Sequence, residues 1–152
     1  MELGMIGLGK MGGNMVIRLL QHGHRVVATA RSAESIQWAA EQGADTASTL
    51  AELVNKLQPP RIVWIMVPAG NPTEQTIQNL IPLLSPDDII VDGGNSNYKE
   101  TRSHAELLSE NNIHFVDVGT SGGVWGLQEG YSMMVGGNAE DVSRLRQDGA
   151  AN

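Results

Sequence analysis

"LGMIGLGKMGGNMVIRLLQHG", residues 3–23, decides the fold. Its first five residues, LGMIG, form a short apolar run of strand length. Residues 9–23 follow a different period. Met11, Met15, Leu19 and Leu20 fall near helical spacing, and Gly23 is placed to stop the helix as its C′ residue. Between the two periods stands Gly7-Leu8-Gly9-Lys10-Met11-Gly12, a G-x-G-x-x-G string. Glycine-rich turns are common, so the string alone says little. A strand before it and a helix after it are the context in which such a turn holds a dinucleotide. Gly7 permits the tight turn, Gly9 lets a pyrophosphate approach bare backbone, and Gly12 lets the helix pack close to the sheet. The helix N-terminus then offers N–H groups and a positive dipole end to the phosphates.

Outward from this stretch the same alternation continues. RVVATA (25–30) reads as a strand. Ser32 is placed to cap a helix over 33–43 that ends at Gly43, and Thr49 to cap another over 50–57 before Pro59-Pro60. RIVWIMV (61–67) is a strongly apolar strand. A helix over 72–84 is ended or bent by Pro82. DIIVDGG (88–94) is a strand, 98–112 a helix, IHFVDVG (113–119) and YSMMVGG (131–137) strands, and AEDVSRLR (139–146) a final helix. Strands apolar on both faces, separated by helices, predict a Rossmann-like α/β fold: a doubly wound, mostly parallel sheet covered by helices. Ligands of such sheets bind at the C-terminal ends of the strands. The loops to inspect therefore begin at Gly7, Ala30, Val67, Asp92 and Val118. The glycine pairs 93–94 and 122–123 fall in loops on that edge, as close approach of backbone to a ligand requires.

Bulk properties narrow the function. The chain has 152 residues, 41% hydrophobic and 18% charged, which suits one globular domain with a real core. Aromatics are only 4%, so the core must rest on aliphatic residues and Met. A net charge of −7 with no Lys/Arg cluster argues against nucleic acid and anionic membranes as partners. The absence of Cys removes disulfides, thiolate metal sites and Cys nucleophiles together. The N-terminus has no basic region and no long apolar stretch, so a cytoplasmic location is expected. His22 and His24 straddle the predicted helix stop without a carboxylate cluster, so no metal site is expected.

The second loop bears on cofactor choice. An NAD site usually carries Asp or Glu about 20 residues after the glycines, to bind the ribose 2′-OH. Here the second strand ends Ala30-Arg31-Ser32. Arg31 can pair with a 2′-phosphate and Ser32 can donate to it. NADP is favoured, with NAD left open. In the third loop Pro68 fixes the backbone and Ala69-Gly70 leave room for a ring, although an ordinary Pro-Gly turn reads the same way.

The fourth loop brings a resemblance. Asp92-Gly93-Gly94-Asn95-Ser96, with Tyr98, Thr101 and Arg102, resembles decarboxylating 6-phosphogluconate dehydrogenases. GLGKMG, GHRVVATARS and Ser121-Gly122-Gly123 fit as well, so the resemblance covers nearly the whole chain. The wider 3-hydroxyacid dehydrogenase superfamily shares GLGxMG and SGG but usually has D-x-S-T where this chain has DGGNS. The resemblance implies oxidation of 6-phosphogluconate at C3 with NADP, then loss of CO2 to give ribulose 5-phosphate. It assigns the cofactor to Gly7, Leu8, Gly9, Lys10, Met11, Gly12, Ala30, Arg31, Ser32, Val67, Pro68 and Ala69. Asn95 would touch both nicotinamide and substrate, and Ser121, Gly122 and Gly123 would bind the sugar acid phosphate. Pro68 stands where longer members have Lys, and Val124-Trp125 where they have acidic residues. Both features resemble the family's shorter branch, whose cofactor choice is less uniform. The resemblance also places the catalytic Lys, the Glu acid and an all-helical partner domain beyond this region. Residues 1–152 are therefore expected to be a cofactor domain cut near its end, with no catalytic residue of its own, from a protein that forms a homo-oligomer when complete. Lys10, Lys56 and Lys99 offer no substitute base.

Three other readings compete. Gly119-Thr120-Ser121-Gly122-Gly123 matches the G-x-S-x-G of a serine hydrolase, but all four histidines precede Ser121, against the Ser–acid–His order of that fold. Within the same superfamily, a 3-hydroxyacid dehydrogenase or imine reductase is the nearest alternative. A module that holds NADP without turnover is the other.

Overall fold

The computed structural model describes residues 2–68, 70–94, 98–121 and 132–137. Its elements are β1 (Glu2–Ile6), α1 (Lys10–Gln21), β2 (Arg25–Thr29), α2 (Ala33–Gln42), β3 (Asp45–Thr46), α3 (Leu50–Asn55), β4 (Ile62–Ile65), α4 (Asn71–Leu80), β5 (Ile89–Asp92), α5 (Tyr98–Glu110), β6 (His114–Ser121) and β7 (Ser132–Gly137). The strands form one sheet in the order β3-β2-β1-β4-β5-β6-β7. All neighbours pair in parallel except β6 with β7, which pair antiparallel. The sequence order reverses between β1 and β4, the point where a doubly wound sheet opens a crevice at its C-terminal edge.

Period-two alternation divides the core into two layers. Leu3, Met5, Val26, Ala28, Trp64, Val91 and Val116 face one side, under Met15, Val16 and Leu19 of α1 and Ala39 of α2. Ile6, Val27, Val63, Ile65 and Ile90 face the other, under Leu53 and Val54 of α3, Ile77 and Leu80 of α4, and Leu108 of α5. Burying each such aliphatic side chain is worth about 1.5–3 kcal/mol, and here both faces of every central strand contribute.

The helix ends obey local chemistry. Ser32 accepts the Ser35 N–H at 3.1 Å and Thr49 accepts the Glu52 N–H at 3.1 Å, as capping requires. Glu52 reaches back to the Ser48 N–H at 2.9 Å, and this bond is the main cause that lowers its carboxyl pKa. Gly43 ends α2 at φ 105°, a conformation that glycine adopts without strain. Pro82 sits in a 3-10 turn (Ile81–Leu83) that ends α4, as expected.

Several features differ from the sequence reading, α5 ending at Glu110 rather than at residue 112 among them. β3 has only two polar residues, Asp45 and Thr46, and no apolar run announces it; pairing with Val27 and Ala28 creates it. α3 stops at Asn55, two residues early. β6 runs on to Ser121 because β7 supplies partners, Thr120 opposite Met133 and Ser121 opposite Ser132. The helix predicted over 139–146 lies outside the described residues.

Candidate functional site

The glycine turn is built by three close approaches. Gly7 has φ 100°, and a Cβ there would run into the Met66 carbonyl oxygen. Its N–H donates to Thr29 O at 3.0 Å, and the Met66 N–H donates to Ile6 O at 2.7 Å. The ends of β1, β2 and β4 are thereby drawn together. A Cβ on Gly12 would strike the Gly7 carbonyl oxygen, so α1 sits directly on the turn. Gly9 differs: a Cβ there would meet nothing within 4 Å. Its bare backbone therefore faces open space at the start of α1, where first-turn N–H groups have no helical acceptor and a phosphate fits.

That space is the edge of an open cleft of about 570 Å³. Gly7, Leu8, Gly9, Ala30, Arg31, Ser32, Val67 and Pro68 all line it, so the structure brings eight of the sequence-assigned residues together. Lys10, Met11 and Gly12 do not line it. Lys10 is exposed, Met11 packs against the core, and Gly12 is buried under the helix. Ala69, Asn95, Gly122 and Gly123 lie outside the described residues. Ser121 is the last residue of β6, on the same sheet edge. It was expected in a loop, and strand pairing with Ser132 corrects that.

Among the described residues that line the cleft, Arg31 is the only charged one, and no carboxylate joins it. In a chain of net charge −7 this is a local inversion that suits an anionic ligand. Beside Arg31, Ser32 Oγ donates to Ser35 Oγ at 2.9 Å. The sequence reading missed much of the far wall. Ser48, Thr49 and Leu50 come from the start of α3, and Pro72 and Thr76 from α4. Thr49 was recognised only as a cap. No local pattern marks the others, because they meet the cleft only through packing of α3 and α4.

Gly93 and Gly94 are also hemmed in by the protein itself. A Cβ on Gly93 would lie 2.6 Å from Trp64 Nε1, and one on Gly94 would lie 2.5 Å from the Val67 carbonyl oxygen. Asp92, fully buried, accepts the Gly94 N–H at 2.9 Å.

Comparison with known proteins agrees with this geometry. A family profile described as the NAD binding domain of 6-phosphogluconate dehydrogenase matches residues 2–147. The chain is 47% identical over 137 residues to an NAD(+)-dependent, decarboxylating 6-phosphogluconate dehydrogenase of Haloferax volcanii, covering 90% of this chain and 45% of the relative. It is 43% identical over 145 residues to a decarboxylating 6-phosphogluconate dehydrogenase of Haemophilus influenzae, covering 91% of this chain and 30% of the relative. The chain thus spans less than half the length of these relatives. Among solved structures, a Plasmodium falciparum 6-phosphogluconate dehydrogenase superposes with a TM-score of 0.87 at 29% identity, covering 97% of this chain and 33% of that one. A 3-hydroxyisobutyrate dehydrogenase of Mycobacterium tuberculosis gives 0.87 at 23% identity, which shows a shared fold alone. The chain belongs to the family of NAD-binding domains of 6-phosphogluconate dehydrogenase.

Proposed function

We propose that this chain is the cofactor-holding domain of a decarboxylating 6-phosphogluconate dehydrogenase that prefers NADP, and that it binds the dinucleotide without completing catalysis alone. The observation that carries this reading is the cleft between Gly9 and Arg31: bare backbone at a helix start and, among the described lining residues, one guanidinium and no carboxylate. The backbone N–H groups at the start of α1 hold the pyrophosphate. Arg31 pairs with the 2′-phosphate, and Ser32 donates beside it by turning its hydroxyl away from Ser35 Oγ. The bound nicotinamide supplies hydride acceptance. The family resemblance assigns Asn95 to both nicotinamide and sugar acid, and Ser121, Gly122 and Gly123 to the sugar acid through hydroxyl and backbone. The proton-transfer residues come from the part of the relatives that this chain does not span. Such an enzyme acts in the cytoplasm as a homo-oligomer; no described helix is long and apolar enough to cross a membrane.

Fluorescence titration with NADPH and NADH tests the reading. Tighter binding of NADPH, with no NADPH formed by the purified chain from NADP and 6-phosphogluconate, is expected. Failure to bind either dinucleotide overturns the proposal, and preference for NADH overturns the NADP assignment.

A further inference from the structure

Two buried polar side chains at the C-terminal edge of the sheet are not explained by the core or by the cleft. Thr73, on the first turn of α4, and Asp92, at the end of β5, are both fully buried, and neither lines the cleft. Burying a hydroxyl or a carboxyl is costly unless it is bonded. Thr73 Oγ1 donates to the Pro68 carbonyl at 2.9 Å. Asp92 Oδ1 accepts the Gly94 N–H at 2.9 Å. The two bonds converge on one point. A Cβ at Gly94 would lie 2.5 Å from the Val67 carbonyl oxygen, 3.3 Å from Asp92 Oδ1 and 3.6 Å from Thr73 Oγ1. The loop after β4 and the loop after β5 therefore touch at Gly94, with one polar anchor for each.

Sheet order says which part of a ligand these loops meet. Arg31 follows β2, on one side of the Gly7–Gly9 turn, while Val67, Pro68 and Gly94 follow β4 and β5 on the other. A dinucleotide with its pyrophosphate at Gly9 and its 2′-phosphate at Arg31 must extend its second half over β4 and β5.

We infer that Thr73 and Asp92 form a buried clamp that sets the spacing of the Val67–Pro68 and Gly93–Gly94 segments and so positions the nicotinamide half of the bound dinucleotide. The two are positioning residues, because they act through Pro68 and Gly94 and do not face the cleft. The inference rests on the dinucleotide reading proposed above.

Equilibrium titrations with NADPH and with adenosine 2′,5′-bisphosphate, which lacks the nicotinamide half, separate this role from a general loss of structure. Thr73→Val keeps the shape and removes the hydroxyl. Gly94→Ala forces the same two loops apart from the other side. Each variant should weaken NADPH about tenfold, the value of one lost buried hydrogen bond, and leave the bisphosphate within about twofold. Thr73→Ser, which keeps the hydroxyl, should restore NADPH binding to near the wild-type level. Should Thr73→Val fail to fold, Gly94→Ala carries the comparison. Unchanged NADPH affinity in the variants, or equal loss of both ligands, overturns the clamp. A wild-type chain that binds neither ligand overturns the dinucleotide reading and the clamp with it.

Discussion

Asp117 stands opposite Asp92 across the parallel pairing of β5 with β6. Two carboxyl groups therefore share one face of the sheet near its C-terminal edge. Partial burial, and then the charge of Asp92, raise the pKa of Asp117 above its usual 3.8. A carboxyl whose pKa is higher in the folded state holds its proton better folded than unfolded. Stability therefore falls as pH rises from below 3.8 through the raised value. Asp117→Asn keeps the shape and removes the charge. It should melt higher than wild type at pH 7, and the gap should close as the pH drops below 3.8. Thermal unfolding followed by circular dichroism reads this. A variant less stable than wild type at pH 7 would show that the fold needs the carboxylate.

Arg31 is the sole charge on the described cleft wall. Replacing it with Asp removes a charge-assisted contact and adds repulsion to a 2′-phosphate. Arg31→Asp should cost NADP binding about 2–3 kcal/mol and leave NAD nearly unchanged. Titration of both cofactors checks the difference. Equal losses for the two would remove Arg31 from the phosphate site.

Gly12 contributes no surface to the cleft, yet any side chain there meets the Gly7 backbone. Backbone cannot swing aside as a flexible side chain can. Gly12→Ala should therefore displace α1 from the turn, weakening dinucleotide binding more than tenfold, which is about 1.4 kcal/mol. Its melting temperature should fall as well, because strain of this kind typically costs about 1–3 kcal/mol. Wild-type affinity in Gly12→Ala would mean that the turn tolerates a shifted helix.

Asp88 and Arg61 form a pair at the opposite end of β4 and β5. Asp88 is fully buried and accepts the Arg61 N–H at 2.6 Å, the Arg61 guanidinium at 3.1 Å and the Ser85 N–H at 2.8 Å. Asp88→Ala takes the carboxylate from a part-buried guanidinium and leaves two backbone N–H groups without their acceptor. Such a break costs about 3–5 kcal/mol. Denaturant unfolding should show the loss, while any variant that remains folded keeps its dinucleotide affinity, since the pair lies far from the cleft edge. Selective loss of affinity in a fully folded variant would contradict this separation.

The sequence by itself determined the repeating units and their punctuation. Strand and helix periods, the Ser32 and Thr49 caps, the Gly43 stop and the glycine turn at 7–12 all depend on residues within a few positions of one another. Local sterics and local hydrogen bonds suffice to specify such features. The cofactor residues that line the cleft, from Gly7 to Ser32, belong to this local class. Tertiary structure decided the rest. β3 exists because Val27 and Ala28 offer it partners, and Ser121 lies in a strand because Ser132 stands opposite. Gly93 and Gly94 are small because Trp64 and Val67, about 30 residues earlier in the chain, press against them. The far wall of the cleft, from Ser48 to Thr76, forms only when α3 and α4 pack on the same face of the sheet. In each of these cases the deciding contact lies far away in sequence, where no local period or cap records it.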